Sequence, residues 1–158
     1  MNILILCTGN SARSILLESI LTHRSDGRIV AFSAGSKPSG KVHPQSLVLL
    51  AAKGFPVDGL SSQSWDDYAA ADAPVMDAVI TVCGSAAGET CPFWPGAPVR
   101  AHWGVEDPAA AAEPDWDAAF TEAYNRLNNR AEALIDLPFE DMSQAAFKAA
   151  LTNIGTQF

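Results

Sequence analysis

A chain of 158 residues, nearly half of them apolar, is long enough for one domain that buries roughly 70% of its unfolded surface without disulfide staples. Its net charge of −8 argues against nucleic acid as a partner, and no run of about 18 uncharged apolar residues is present to cross a bilayer. Three cysteines, an odd number with no basic leader or apolar signal core ahead of them, argue for free thiols in a cytoplasmic protein.

The run Ile3-Leu4-Ile5-Leu6 reads as a strand buried on both faces, with Cys7 at its carboxyl end. Ligands of open α/β sheets bind beyond such ends, where the next helix aims its free N–H groups and positive dipole end. Thr8, Gly9, Asn10, Ser11 and Ala12 form the connecting loop, in which Gly9 and Asn10 tolerate left-handed angles that turn N–H groups inward. The C-x5-R spacing returns the Arg13 guanidinium over the sulfur, ready to grip two oxygens of an oxyanion. A helix N-terminus and a cation together lower a thiol pKa from ~8.5 into the range ~3.5–7.5, so Cys7 is expected to be a nucleophilic thiolate. Ser14 either donates its hydroxyl to that sulfur or caps the helix.

An amphipathic helix carrying Ile15, Leu16, Ile20 and Leu21 then runs to the turn Ser25-Asp26-Gly27, and a second strand spans Ile29–Ser33. Ala34–Gly40 is rich in turn formers and reads as a rim loop. A second helix starts at His43-Pro44 and stops at Lys53-Gly54, with His43 a helix-start residue without chemistry of its own. Ser61–Tyr68 is a loop leading into a short helix capped by Ser64. Ala78–Val82 is the third strand, closed by Cys83-Gly84, and glycines and prolines between residues 84 and 98 forbid long regular structure. Pro98–Trp103 is the fourth strand, followed by Gly104–Pro108. Trp116, Phe120, Tyr124, Leu127, Ala131, Leu134 and Ile135 recur at steps of three and four on one long helix, an aromatic stripe that faces the core.

These elements predict an α/β domain over residues 1–137, a small four-stranded parallel sheet flanked by helices. Residues 138–158 add a helical extension packed on the same domain, with Phe147, Leu151 and Ile154 on one face. Strands of a parallel sheet all exit on one edge, so Cys7, Cys83 and Asp107 share one rim. A carboxyl held near an anion keeps its proton more readily, which suits Asp107 to general-acid work. A zinc site from Cys83, Cys91 and His102 competes, but the spacing lacks the short C-x2–4-C knuckle of structural zinc sites.

Cys7-Thr8-Gly9-Asn10-Ser11-Ala12-Arg13-Ser14, placed between strand and helix, resembles the phosphate-binding loop of the low-molecular-weight protein tyrosine phosphatase fold. With Thr81-Val82-Cys83, Cys91-Pro92, His102-Trp103-Gly104 and Asp107-Pro108-Ala109, the chain is similar to the thioredoxin-coupled arsenate reductases of that fold. Seven residues separate Cys83 from Cys91, one more than in some members.

The resemblance implies that Cys7 attacks arsenate while Arg13 and the loop hold its charge and Asp107 assists loss of water. It further implies a disulfide relay in which Cys83 attacks Cys7, releasing arsenite, and Cys91 then attacks Cys83. The partners implied are an arsenate or phosphate oxyanion and thioredoxin as reductant, with the chain acting as a monomer. No cofactor is required, although Asn10, Glu18, Ser33, Ser64 and Asp66 echo a family site for potassium. The alternative activity is hydrolysis of phosphoesters, for which Cys7, Arg13 and Asp107 suffice. A third reading is an oxyanion-binding or redox-sensing module that signals through Cys83 and Cys91.

Overall fold

Ile3, Leu4, Ile5 and Leu6 are each no more than 1% exposed, as an unbroken apolar run requires when both faces of its strand are covered. They lie in β1 (Asn2–Cys7), one of the two inner strands of a four-stranded sheet in a computed structural model that describes residues 1–84, 88 and 94–158. The order is β2-β1-β3-β4, with β2 at Val30–Gly35, β3 at Ala78–Thr81 and β4 at Val99–His102. All pairings are parallel, with Leu4 beside both Phe32 and Val79, and Val79 beside Arg100. The expected small parallel sheet with a helical C-terminal region is therefore the fold, and β2 runs two residues further than the apolar pattern suggests, ending at Gly35.

Four helices follow the predicted segments: α1 (Arg13–Arg24), α2 (Pro44–Ala52), α3 (Trp116–Ile135) and α4 (Gln144–Gln157). Alternation along β1 sends Ile3 and Ile5 to one face, where they join Leu16, Leu50, Phe120, Leu127 and Leu151 in the larger core. Leu4 and Leu6 point to the other face and meet Ala34, Trp65, Met76, Val79 and Trp94. Among the described residues that second face is covered by the 3-10 turn Trp65–Tyr68 and the Trp94 indole, with all four helices on the first. The two indoles on this second face meet edge-on, their ring centroids 6.3 Å apart.

Local signals account for the helix ends. The His43 ring nitrogen Nδ1 accepts from the Gln45 N–H, Pro44 occupies the first turn, and Gly54 at φ +85° ends the segment. Ser143 caps α4 by accepting from the Ala146 N–H. The apolar stripe of α3 is core as expected, with Phe120, Leu127 and Leu134 fully buried.

Candidate active site

The loop from Thr8 to Ala12 is held from outside. Thr8 carbonyl accepts from Lys37 N–H at 3.0 Å, Gly9 carbonyl from Ser39 N–H at 2.9 Å and Ser62 Oγ at 3.1 Å, and Ser11 carbonyl from His43 N–H at 3.0 Å and Ser46 Oγ at 2.9 Å. Ala12 carbonyl takes the first helical bond, from Leu16 N–H. With their oxygens turned outward, Gly9, Asn10, Ser11, Ala12 and Arg13 keep N–H groups that find no acceptor among the described residues. This is an anion nest at a helix N-terminus.

The left-handed residue in the nest is Asn10, at φ +47°, and not Gly9, which keeps negative φ. Asn10 is fully buried. Its Oδ1 accepts from Gln63 N–H, and its Nδ2 donates to Ser14 Oγ and Ser33 Oγ, each at 2.9 Å. Those bonds offset the cost of the backbone conformation. They also exclude Ser14 as the helix cap: it lies inside the first turn of α1 and accepts from Asn10, which leaves its own proton to donate. Gly35 is the second backbone requirement. A Cβ there would lie 2.4 Å from the Thr8 carbonyl oxygen, so only glycine lets β2 pass this close to the loop.

Arg13 reaches across the rim to the segment after β4. Its NH1 donates to the Val105 carbonyl at 2.9 Å, and its NH2 stands 3.5 Å from Asp107 Oδ1. Nε is buried without a partner. The Nε–NH2 edge therefore remains for a two-point grip on an oxyanion, while NH1 fixes the plane of the guanidinium. Asp107 is 45% exposed and caps the 3-10 turn Pro108–Ala110, its Oδ1 accepting from Ala109 N–H at 3.1 Å. With Oδ1 taken up in these contacts, Oδ2 is the oxygen available to carry a transferable proton.

Cys83 is brought to the same loop. Its Sγ accepts from Thr8 N–H at 3.3 Å and lies 3.5 Å from Thr8 Oγ1, and both it and Cys7 are buried free thiols. The pairing of β1 with β3 causes this: Val82 N–H donates to Leu6 carbonyl, extending the ladder so that the chain leaves both strands side by side. The Cys7 thiol is hydrogen-bonded to Cys83, and that bond together with burial pushes its pKa well above the ordinary thiol value, with Arg13 pulling the other way. The expected depression of the Cys7 pKa is thus reversed, because the bond to a second thiol and burial outweigh the pull of the Arg13 charge. Cys91 lies outside the described residues.

The five residues that echo a potassium site split into two groups. Ser33 Oγ donates to Glu18 Oε2 in a short bond, and Asn10 joins them. Ser64 and Asp66 form a separate cap in which Ser64 Oγ accepts from Asp66 N–H. Gln63 takes up oxygens a cation would use, its N–H on Asn10 Oδ1 and its Nε2 on Ser33 carbonyl at 3.0 Å. The network is satisfied internally rather than open as a cage of oxygens, so no step below is routed through potassium. Burial pushes the Glu18 carboxyl up to about 6 against the opposing donation from Ser33. Among the described residues no cluster of three or more His, Cys, Asp or Glu is arranged for a metal. His102 instead shares a 2.7 Å bond between Nδ1 and Thr81 Oγ1, and His43 packs edge-on against Trp116.

Sequence reasoning does not find Gly35, Ser46, Ser62, Gln63 or Val105, which hold the loop and Arg13. They act through backbone carbonyls and close approach, and nothing in a polar stretch such as Ser61–Ser64 tells which hydroxyl will reach a carbonyl over 50 residues away. The only available signal is the density of small hydroxyl and amide residues on segments that leave the carboxyl ends of strands.

Comparison with known proteins agrees with this fold. The family model for low molecular weight phosphotyrosine protein phosphatase matches residues 2–149. An arsenate reductase of Bacillus subtilis (strain 168) is 33% identical over 128 residues, covering 79% of this chain and 88% of the relative. A solved structure described as an arsenate reductase in the phosphate binding state superposes with a TM-score of 0.67 at 26% identity, over 85% of this chain and 95% of the other. A thioredoxin-dependent arsenate reductase of Corynebacterium glutamicum shares the fold, with a TM-score of 0.57 at 24% identity over 80% of this chain and 57% of its own. With its family model matched over residues 2–149 and a relative 33% identical over 79% of its length, the chain belongs to the low molecular weight phosphotyrosine protein phosphatase family.

Proposed function

We propose that the chain is an arsenate reductase that takes its electrons from thioredoxin. The observation that carries this reading is the second thiol at the oxyanion nest, Cys83 Sγ on the Thr8 N–H beside Cys7. Hydrolysis of a phosphoester needs one thiol there; reduction of the bound element needs two.

Arsenate docks on the loop N–H groups and the Nε–NH2 edge of Arg13. The Cys7 proton, held tightly in the thiol pair, passes to a bound arsenate oxygen, and the thiolate attacks arsenic. An As–O bond breaks, Asp107 completes the departing water, and a Cys7–S–As(V) adduct remains. Cys83 thiolate then attacks Cys7 Sγ. The S–S bond forms as the S–As bond breaks, and its electron pair stays on arsenic, which leaves as arsenite. Cys91 thiolate attacks Cys83, freeing Cys7, and the Cys83–Cys91 disulfide accepts two electrons from the dithiol of thioredoxin. The free thiols of Cys7 and Cys83 fit a reducing, cytoplasmic setting. Among the described residues no helix is long and apolar enough to cross a membrane.

The test is steady-state arsenate reduction with thioredoxin and its reductase, run beside hydrolysis of an aryl phosphate. Sustained arsenite release that requires thioredoxin is the expected result. Aryl phosphate turnover without arsenate reduction would turn the reading to a phosphatase, for which Cys7, Arg13 and Asp107 suffice.

A further inference from the structure

A single buried cation ties the C-terminal helix to the loop that bears Asp107. Arg130 of α3 is 3% exposed. Its Nε donates to the Phe158 carbonyl at 2.9 Å, its NH2 makes a second, shorter bond to the same oxygen, and its NH1 donates to the Gly104 carbonyl at 3.1 Å. Among the described residues no aspartate or glutamate side chain pairs with it. An apolar side chain of similar length would fill this space without desolvating a charge. What the guanidinium adds is a fixed direction for two main-chain oxygens on separate segments.

Gly104 immediately precedes Val105, whose carbonyl holds Arg13 NH1, and lies three residues before Asp107. The N–H groups on either side are already fixed, Trp103 to the Thr81 carbonyl at 2.7 Å and Val105 to the Val82 carbonyl at 3.1 Å. Arg130 is the bond that fixes the carbonyl between them. Its other anchor, the end of α4, is itself seated tightly on β4: Trp103 Nε1 donates to Leu151 carbonyl at 2.9 Å, and a Cβ at Gly155 would lie 2.5 Å from the His102 carbonyl oxygen.

We propose that Arg130 is a positioning residue through which α4 sets the Gly104–Asp107 loop, and so holds Arg13 in the plane that grips the oxyanion. The inference rests on Cys7 and Arg13 forming an oxyanion site, and is independent of arsenate being the oxyanion.

The test compares alkylation of Cys7 by iodoacetate and by iodoacetamide, with adducts at Cys7 and Cys83 separated by peptide mass spectrometry and folding checked by circular dichroism. The two reagents share one electrophilic carbon, but only iodoacetate has a carboxylate for Arg13 to hold, so their rate ratio reports where the guanidinium is placed. Equal ratios in the wild type and Arg13→Met would overturn the oxyanion site itself. Given a difference there, Arg130→Met is expected to lower the ratio about five- to tenfold toward the Arg13→Met value, as for loss of a steering charge, and Arg130→Lys, able to reach one carbonyl, should fall between. A folded Arg130→Met protein with the wild-type ratio would overturn the inference. Should that variant fail to fold, Gly155→Ala decides, because its Cβ displaces α4 from β4 while leaving Arg130 in place: a lowered ratio supports the coupling, and an unchanged one overturns it.

Discussion

The nest after β1 and the acid loop after β4 stand on the same rim but are built differently. In the nest, carbonyls of Thr8, Gly9 and Ser11 are bound by donors from residues 37–62, and Asn10 is locked by three side-chain bonds. The acid loop hangs on a few bonds at its root, and Asp107 itself is 45% exposed. A site that must recognise tetrahedral oxygens gains from donors fixed before the ligand arrives. A carboxyl that must take and give a proton gains from contact with water. Arg13 links the two, standing at the end of the nest with its side chain on Val105 and Asp107.

Cys7→Ser, which removes the nucleophile from the rigid half, should abolish arsenate reduction and any phosphatase activity, since a serine hydroxyl has no comparable anionic form at neutral pH. Steady-state turnover checks this, and rates above a few per cent of wild type would displace Cys7 from its role. Arg13→Lys keeps the charge but loses the planar fork that spans the two halves. A cost of roughly 2–4 kcal/mol in transition-state stabilisation is expected, comparable to removal of an oxyanion donor. Near-wild-type kcat/KM would mean that the two halves work independently.

The third prediction concerns the thiol pair. In Cys83→Ala the hydrogen bond that raises the Cys7 pKa is gone while Arg13 remains, so the pH profile of Cys7 alkylation should move to lower pH. An unmoved profile would assign the raised value to burial alone.

A milder change tests the support behind the nest. Glu18 titrates at about 6 when folded and near 4.5 when unfolded, so the native state holds the extra proton between these values and stability falls as pH rises through that window. The loss amounts to about 2 kcal/mol. Glu18→Gln should flatten the stability profile between pH 4.5 and 6 in denaturant titrations, and a slope unchanged in the variant would place the titrating group elsewhere.

These expectations also mark what was legible in the amino-acid order. Strand, loop and helix around Cys7 follow from an unbroken apolar run, a C-x5-R spacing and a helical stripe, all local features. Asp107 follows from the shared edge of a parallel sheet. The identity of the left-handed residue does not, because Gly9 and Asn10 are both suited to it and only the partners of Asn10, at Ser14, Ser33 and Gln63, decide between them. The Cys7 pKa is equally hidden. Helix and arginine are visible in the local sequence, whereas the Cys83 sulfur arrives through pairing of strands more than 70 residues apart. Arg130 shows no signal at all, since its partners are main-chain oxygens that any residue would supply.

The central claim, that two thiols at one nest serve a reduction completed by a third, is tested most directly in Cys91→Ser. A single exposure to arsenate should release one arsenite per chain and leave a Cys7–Cys83 disulfide, found by peptide mass spectrometry, with aryl phosphate hydrolysis under reducing conditions nearly unchanged. Continued turnover of this variant with thioredoxin would contradict the relay, and a chain that releases no arsenite and forms no Cys7–Cys83 bond would contradict the role of the second thiol.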